Sequence, residues 1–320
     1  RRELYVFSGA DGKNGFVAKD GTIVVPAKYD SVAGFSEGFA GVYNDGKWQF
    51  IDEEGKLLTS DKFDFIDDFS NGLAAVRINR KWGFINRRGV LQIKAQFAFV
   101  NSFSEGLALA SLSGTQYFDA FVGNIGYINT QGKFVIPAKY SFEKASSFHG
   151  GLAAVMEKNY WGFIDKKGKF VIKPRFEWAD SFSEGLAAVA AIGGKTGFID
   201  TKGNFVIEPV FEHANKFSEG YAVIDANYKC GFINKQGAVV IQAKYEECRN
   251  FKEGLAAVRV KTIIEKNTSS YKWGFVDKSG SMIIESKYQW ATDFIDGLAA
   301  VSIDSKRIFI DKQGKEFVFR

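Results

Sequence analysis

The fold is decided by a stretch that reads Trp161-Gly162-Phe163-Ile164-Asp165-Lys166-Lys167-Gly168-Lys169-Phe170-Val171-Ile172. Two short apolar runs flank an Asp-Lys-Lys-Gly corner, a pattern typical of a β-hairpin whose short loop needs a glycine at positive φ. A second motif follows, Phe182-Ser183-Glu184-Gly185-Leu186-Ala187-Ala188-Val189. The two motifs together form one unit, and this unit recurs from one end of the chain to the other.

The units recur with a period of about 34 residues. The glycine that closes the Phe-Ser-Glu-Gly motif is found at Gly38, Gly72, Gly106, Gly151, Gly185, Gly220, Gly254 and Gly297. The corner glycine adds a ninth copy, with positions Gly21, Gly55, Gly89, Gly132, Gly168, Gly203, Gly237, Gly280 and Gly314. Two longer intervals place insertions near residues 113–123 and 262–270. A uniform repeat predicts that residues 1–320 form a single array rather than two separate domains.

Each unit contains three predicted strands and a connector. Strand b is the Leu-Ala-Ala-Val run (residues 73–77), strand c the Trp-Gly-Phe-Ile run (82–86) and strand d the Phe-Val-Ile run (134–136). The runs are short, rich in β-branched and aromatic residues and separated by Gly, Asn, Asp and Lys, which predicts antiparallel meanders. Both faces of the strands are apolar, so the sheets should stack face to face. We therefore predict an all-β fold of about nine three- to four-stranded meanders.

The connector before strand b, as in residues 176–182, spaces its apolar residues at i, i+3 and i+6. This spacing fits either one helical turn or a bent fourth strand. Strand d is expected to end at the proline before the connector, because proline cannot donate to a ladder. The strand order favours a β-propeller-like arrangement, with an open superhelical β-solenoid as the alternative because nine units exceed the usual four to eight blades. The four prolines are Pro26, Pro137, Pro174 and Pro209.

The corner Lys/Tyr-Trp-Gly-Phe-Ile-Asp/Asn occurs at residues 81–86 and 160–165 and, with Val276 for Ile, at 272–277. Together with the Glu-Gly-Leu-Ala-Ala-Val motif it resembles the bacterial WG-repeat (KWG) family, over essentially the whole chain. The resemblance implies an envelope-associated protein, periplasmic, on the cell surface or secreted, with no shared catalytic residues. The chain departs from the motif at Asn14-Gly15, Trp48-Gln49, Ile125-Gly126, Thr196-Gly197 and Cys230-Gly231.

The charge and the cysteine content limit the classes of partner that the sequence favours. The chain has 42 Lys and Arg against 37 Asp and Glu, spread evenly, so we expect no nucleic-acid partner. No apolar run is long enough for a transmembrane segment. Cys230 and Cys248 stand where other repeats carry Trp and Ala, and we interpret them as buried free thiols. A disulfide between them would need an oxidising compartment and a geometry that sequence does not supply.

The polar residues give little support for a catalytic or metal-binding site. The corner acid alternates between Asp and Asn, which is typical of a turn rather than of a catalytic or metal-binding carboxylate. His149 and His213 lie in different repeats with no zinc-like spacing nearby. No phosphate loop or nucleophile elbow is present. We therefore predict no catalytic residue, no metal, no cofactor and no enzymatic activity. The corner residues are Asp20, Asp52, Asp165, Asp200, Asp277 and Asp311, with Asn86, Asn129 and Asn234.

The aromatic residues are the remaining candidates for function. Trp48, Trp82, Trp161 and Trp273 belong to the repeat and are predicted to lie in the core. A different connector position varies in kind, which is typical of a contact surface. This position gives the candidate ligand-binding residues Trp178, Trp290, His213, Phe65 and Phe99, and it holds Ser31 and Glu247 in two other repeats.

The predicted function is a non-catalytic scaffold for protein–protein interaction, because repeat arrays present broad surfaces. The alternative is a glycan or cell-wall binding module that uses exposed aromatic side chains. Both insertions lie between strands b and c, so we expect them to project from the same edge of their units.

Overall fold

The computed structural model describes residues 3–116, 121–265 and 268–318. It divides into two compact units. Unit 1 contains the described residues up to Met156 together with Ile164–Lys169, and unit 2 contains Glu157–Phe163 and Phe170–Val318. In the described ranges the secondary structure is β-strand apart from one short 3₁₀ turn, Phe142–Lys144. No helix in these ranges is long and apolar enough to cross a membrane.

In the described ranges, nine antiparallel sheets of three or four strands follow one another along the chain, each a meander in the order a, b, c, d where all four strands are present. Unit 1 contains sheet 1 (Leu4–Ser8, Asn14–Ala18, Ile23–Tyr29), sheet 2 (Ser31–Ser36, Phe39–Asn44, Lys47–Asp52), sheet 3 (Phe65–Ile66, Leu73–Ile78, Lys81–Asn86, Leu91–Phe97) and sheet 4 (Phe99–Val100, Leu107–Ser111, Asn124–Asn129, Phe134–Ser141).

Sheet 5 consists of Ala153–Glu157, Tyr160–Ile164 and Phe170–Phe176. Unit 2 contains sheet 6 (Trp178–Ala179, Ala187–Ala190, Thr196–Ile199, Phe205–Phe211), sheet 7 (His213–Ala214, Tyr221–Ala226, Lys229–Asn234, Val239–Tyr245), sheet 8 (Glu247–Cys248, Leu255–Glu265, Thr268–Asp277, Met282–Tyr288) and sheet 9 (Trp290–Ala291, Leu298–Ile303, Lys306–Asp311, Glu316–Phe317). The prediction of nine meanders is confirmed, and the fold class is β-propeller-like, with the sheets as blades.

The connector takes both of the forms that its spacing allowed. In sheets 3, 4 and 6 to 9 it contributes a two-residue strand a, which pairs with the end of strand b, as Phe65 does with Arg77. Before sheet 5 it forms the 3₁₀ turn instead, followed by an isolated bridge between Ala145 and Val155. A segment this short has no periodicity of its own, so its pairing partner decides its conformation.

The prediction that strand d ends at proline is wrong. Strand Phe205–Phe211 runs through Pro209, because the proline sits in a bulge of an outer strand, where its missing donor is not needed. The bulge passes directly over Gly197 of strand c. A Cβ atom there would lie 2.6 Å from the carbonyl oxygen of Ile207.

This crossing explains the glycine of the Trp-Gly pair. Strand c carries Gln49 in sheet 2 and Ile308 in sheet 9. Sheet 2 has no strand d, and in sheet 9 strand d is the two-residue Glu316–Phe317, which pairs only with Phe309 and Ile310. Glycine is therefore replaced where the bulged strand is missing.

The core lies between consecutive sheets. Phe232 and Ile241 of sheet 7 pack with Phe251, Ala256 and Val258 at the start of sheet 8, and all five are buried. The rings of Phe232 and Phe251 are 4.8 Å apart. Strand b of most sheets is buried on both faces, as residues 73–76 are and as the Leu-Ala-Ala-Val sequence predicts, so these sheets depend on their neighbours.

The polar residues of the Phe-Ser-Glu-Gly motif also link consecutive sheets. Glu219 and Gly220 have φ values of 53° and 86° and form a two-residue turn before strand b of sheet 7. Ser218 Oγ donates to the carbonyl oxygen of Phe251, 2.7 Å away, and Glu219 accepts from the backbone N–H of Gly254. Lys278 Nζ lies 3.3 Å from the same carboxylate. The equivalent carboxylates Glu37, Glu105, Glu184 and Glu253 are bound in the same way.

Both insertions lie between strands b and c, as predicted. Residues 113–123 include a small ribbon of Thr115–Gln116 and Phe121–Val122. Residues 262–270 extend strands b and c of sheet 8 into a long ribbon, Leu255–Glu265 with Thr268–Asp277. The central residues of the two insertions, 117–120 and 266–267, lie outside the described ranges.

Candidate functional site

The candidate ligand-binding residues occupy one structural position, the first residue of strand a. We call this set the strand-a row. Each member lies opposite a residue near the end of strand b, as His213 lies opposite Asp225 and Trp290 opposite Ser302. Apart from Ser31 of sheet 2, the row consists of Phe65 and Phe99 in unit 1 and of Trp178, His213, Glu247 and Trp290 in unit 2.

The two members of the row in unit 1 have different surroundings. Phe65 is 52% exposed, and the guanidinium of Arg77 lies over its ring at 5.2 Å. Phe99 is half-buried against Phe121 and Phe142, at ring distances of 5.1 and 4.9 Å. Phe121 belongs to the ribbon of the first insertion, so this insertion covers part of the Phe99 ring.

In unit 2 the row brings two candidate residues together. The rings of Trp178 and His213 are 5.7 Å apart, although the residues come from consecutive sheets. Trp178 lies opposite Ala190, which in turn lies opposite Thr196, so the residues beside the indole on strands b and c are small. Trp290 is 41% exposed and has the guanidinium of Arg307 over its ring at 5.8 Å.

Cys230 and Cys248 form a disulfide, so the prediction of free thiols is wrong. Cys230 lies on strand c of sheet 7 and Cys248 on strand a of sheet 8, with their Cα atoms 6.0 Å apart. The residues at these positions in the next pair of sheets are Trp273 and Ala291, which share one core cluster. The disulfide therefore replaces the contact that a Trp and an Ala make elsewhere. The sequence signal was that both cysteines break the repeat at positions that touch.

A pocket of about 440 Å³ opens between sheets 7 and 8 beside this disulfide. The carboxylate of Asp225 lies in it, with Oδ2 3.5 Å from Nδ1 of His213. Burial and the nearby Glu212 raise the pKa of Asp225, although His213 acts in the opposite direction. Residues that line the pocket include His213, Asp225, Cys230, Glu247, Cys248 and Arg249.

The other charged groups of the pocket have partners within the chain. Glu246 pairs with Lys229, and Glu247 pairs with Arg259 across strands a and b. The guanidinium of Arg249 lies 5.4 Å from the centre of the Trp273 ring. Asp225 and His213 are therefore the polar groups of this pocket best placed to meet a ligand.

The remaining residue predictions concern turns and core. Asp165 Oδ1 accepts from the backbone N–H groups of Lys167 and Lys169, at 2.9 and 3.0 Å, which confirms the corner acid as a turn residue. Trp273 is buried, and Trp82 packs half-buried against the core between sheets 3 and 4. Within the described ranges, no group of three or more His, Cys, Asp or Glu side chains is arranged to hold a metal ion.

A family model described as WG containing repeat matches eight segments of the chain. They are residues 15–48, 50–82, 82–115, 125–161, 161–195, 197–230, 231–261 and 273–306, which together make up most of the sequence. A comparison with curated protein sequences gave no significant match.

Solved structures similar to this chain include BamB from Moraxella catarrhalis, with 13% identity, a TM-score of 0.41 and coverage of 98% of this chain and 94% of that one. Apo AztD from Citrobacter koseri gives 14% identity, a TM-score of 0.42 and coverage of 98% and 93%. A eukaryotic initiation factor gives 10% identity, a TM-score of 0.49 and coverage of 99% and 96%.

Proposed function

The chain belongs to the WG-repeat family, and we propose that it is a non-catalytic scaffold that binds another protein. The observation that carries this proposal is the strand-a row of unit 2. Four consecutive sheets present Trp178, His213, Glu247 and Trp290 at one position, and these side chains differ in size, charge and shape. A position that only stabilised the fold would hold similar residues, as strand b does with its Leu-Ala-Ala-Val runs. Half-exposed aromatic side chains are typical anchors of protein interfaces.

The use of the other polar residues supports a non-catalytic role. The Ser and Glu of the repeat link one sheet to the next, and the Asp or Asn of the corner closes the hairpin. These groups are engaged in architecture, so few remain to act as acid, base or nucleophile. Turnover of a substrate by the purified protein would overturn this part of the proposal.

We further propose that the protein works in an oxidising compartment, in the bacterial envelope or outside the cell. The Cys230–Cys248 disulfide supports this location, because such bonds persist mainly in oxidising surroundings.

Photo-cross-linking in cells that express the protein tests the proposal. A photoreactive amino acid at Trp290 should cross-link a defined protein, whereas the same group at Val171 should not. Val171 is a matched control because it is 48% exposed, lies on strand d and is also in unit 2. Equal products at both positions would contradict a contact surface along the row. If purified peptidoglycan or polysaccharide retains the protein and Trp178→Ala/Trp290→Ala abolishes this, the glycan-binding alternative is correct instead.

A further inference from the structure

Two of the clefts between consecutive sheets are filled by the Trp of the repeat. Trp273 on strand c of sheet 8 packs in the same core cluster as Ala291 of sheet 9. Trp82 likewise packs against the cluster that contains Val100 of the following sheet. In both clefts an indole occupies the space beside strand a of the next sheet.

Between sheets 7 and 8 this indole is missing. Cys230 takes its place and is bonded to Cys248, so the two sheets are held together by a much smaller group. The pocket of about 440 Å³ lies at this point, within unit 2. It is therefore the space that a Trp side chain would occupy, kept open by a covalent link.

The charge at the mouth of this cleft is also reversed. At the strand b position opposite the first residue of strand a, sheet 3 has Arg77, whose guanidinium lies over the Phe65 ring at 5.2 Å, and sheet 8 has Arg259. In sheet 7 the ring is that of His213, and the residue opposite it is Asp225. An aromatic ring is present here as in sheet 3, but a carboxylate stands at the position where sheets 3 and 8 carry an arginine.

The Asp225 carboxylate also makes only a weak contact with its neighbour His213. Its Oδ2 atom lies 3.5 Å from His213 Nδ1, which is longer than an ordinary hydrogen bond. The other two carboxylates of the pocket, Glu246 and Glu247, are paired with Lys229 and Arg259. A cation that enters the pocket would therefore meet Asp225 first.

We propose that this pocket receives an arginine side chain of the partner protein. A planar guanidinium can stack on the His213 ring while it donates two hydrogen bonds to the Asp225 carboxylate. Its methylene groups would contact Val223 and the disulfide, which line the same pocket. A lysine ammonium is a point charge and cannot make this flat, bidentate contact. The inference rests on the proposed function, because it assigns the chemistry of one contact on the strand-a row.

The chain offers a simple probe, because His149 and His213 are its only histidines. In a ¹H–¹³C spectrum the two imidazole Cε1–Hε1 groups should give separate signals, and His149, which is in unit 1, serves as the reference. Titration of the oxidised protein with N-acetyl-arginine amide should shift the His213 signal saturably and leave His149 in place. N-acetyl-lysine amide and N-acetyl-tryptophan amide should bind at least about tenfold more weakly, because they lack the bidentate fork.

Two variants locate the site. Asp225→Asn should weaken arginine amide binding at least about tenfold, since it removes the charge of the acceptor. Cys230→Trp/Cys248→Ala should abolish the shift, because the indole fills the pocket. The inference is overturned if arginine amide gives no saturable His213 shift up to about 10 mM, if Asp225→Asn binds as well as the wild type, or if the tryptophan amide binds best. None of these results would change the cross-linking at Trp290. The arginine pocket and the protein-binding scaffold can therefore fail separately.

Discussion

The carboxylate of Glu219 accepts a hydrogen bond from the backbone N–H of Gly254, 2.9 Å away at the start of the next sheet. The two residues belong to consecutive copies of the same motif. Each Glu-Gly pair therefore forms its own turn and also holds the turn of the following repeat. Lys278, in the hairpin corner of that repeat, completes the contact. This arrangement links one sheet to the next through groups that every full copy of the motif supplies.

We expect Glu219→Ala to lower the free energy of unfolding by about 1–2 kcal/mol, because the Gly254 N–H and the Lys278 ammonium lose their acceptor. Chemical denaturation followed by far-UV circular dichroism measures this change. Glu208→Ala is the matched control, since Glu208 is an exposed carboxylate on strand d of the same unit. Equal losses in both variants would show that the Glu219 contact does not stabilise the array.

Stability should fall at acid pH. Partial burial alone would raise the pKa of the Glu219 carboxyl, but the Gly254 N–H and Lys278 outweigh it, so the pKa lies below its ordinary value of 4.5. The pKa values of Glu37, Glu105 and Glu184 are also below the ordinary value, because a backbone N–H and a basic side chain outweigh the effect of burial.

A lowered carboxyl pKa contributes stability that is complete above the unfolded value and is lost as pH falls through the folded value. The denaturation midpoint should therefore be constant down to about pH 5 and decrease below about pH 4.5. Glu219→Gln should show a smaller decrease than the wild type. A midpoint that rises on acidification would contradict this account.

Replacement of the disulfide by Cys230→Ser/Cys248→Ser should cost about 3 kcal/mol, because the bond closes a loop of 18 residues in the unfolded chain. Cys230→Trp/Cys248→Ala should recover part of this loss, since it introduces the pair found at Trp273 and Ala291. Denaturation with and without a reductant measures both effects. If the Trp/Ala variant is no more stable than the Ser/Ser variant, the two positions are not equivalent.

Gly83→Ala should cost at least about 1–3 kcal/mol, because its Cβ would lie 2.4 Å from the carbonyl oxygen of Ile93 in the bulged strand d. Gly34→Ala is the control in the same unit. A Cβ at Gly34 meets no atom within 4 Å, so its effect should stay within about 0.5 kcal/mol. Thermal unfolding of the two variants distinguishes them, and a tolerated Gly83→Ala would disprove the steric explanation of the Trp-Gly pair.

The repeat period and the strand types could be predicted because they depend on local patterns. The Asp165 corner and the Leu-Ala-Ala-Val strands are each determined by residues that are adjacent in the sequence. The path of strand d could not be predicted in the same way. Pro209 signals the end of a strand when it is considered alone, and only the bulge over Gly197 shows why the strand continues.

The geometry of the candidate site was only partly predictable, for the same reason. Variation at one connector position identified Trp178 and His213, but not that their rings lie 5.7 Å apart. Neither the disulfide nor the pocket could be derived from spacing, because Cys230 and Cys248 meet across two sheets. Asp225 was missed because no sequence motif marks a single carboxylate near the end of strand b. It is distinguished by comparison with Arg77 and Arg259, which occupy the same position in sheets 3 and 8.

The central claim is that the strand-a row of unit 2 is a contact surface for a protein. The most direct test is the equilibrium affinity of the partner identified by cross-linking for three forms: wild type, Trp178→Ala/Trp290→Ala and the strand d control Val171→Ala/Val206→Ala. Both control residues are exposed and lie in the same unit. We predict at least about a 30-fold loss for the tryptophan pair, as for interface hot spots, and less than about a threefold change for the control. Equal affinities for all three forms would contradict the claim.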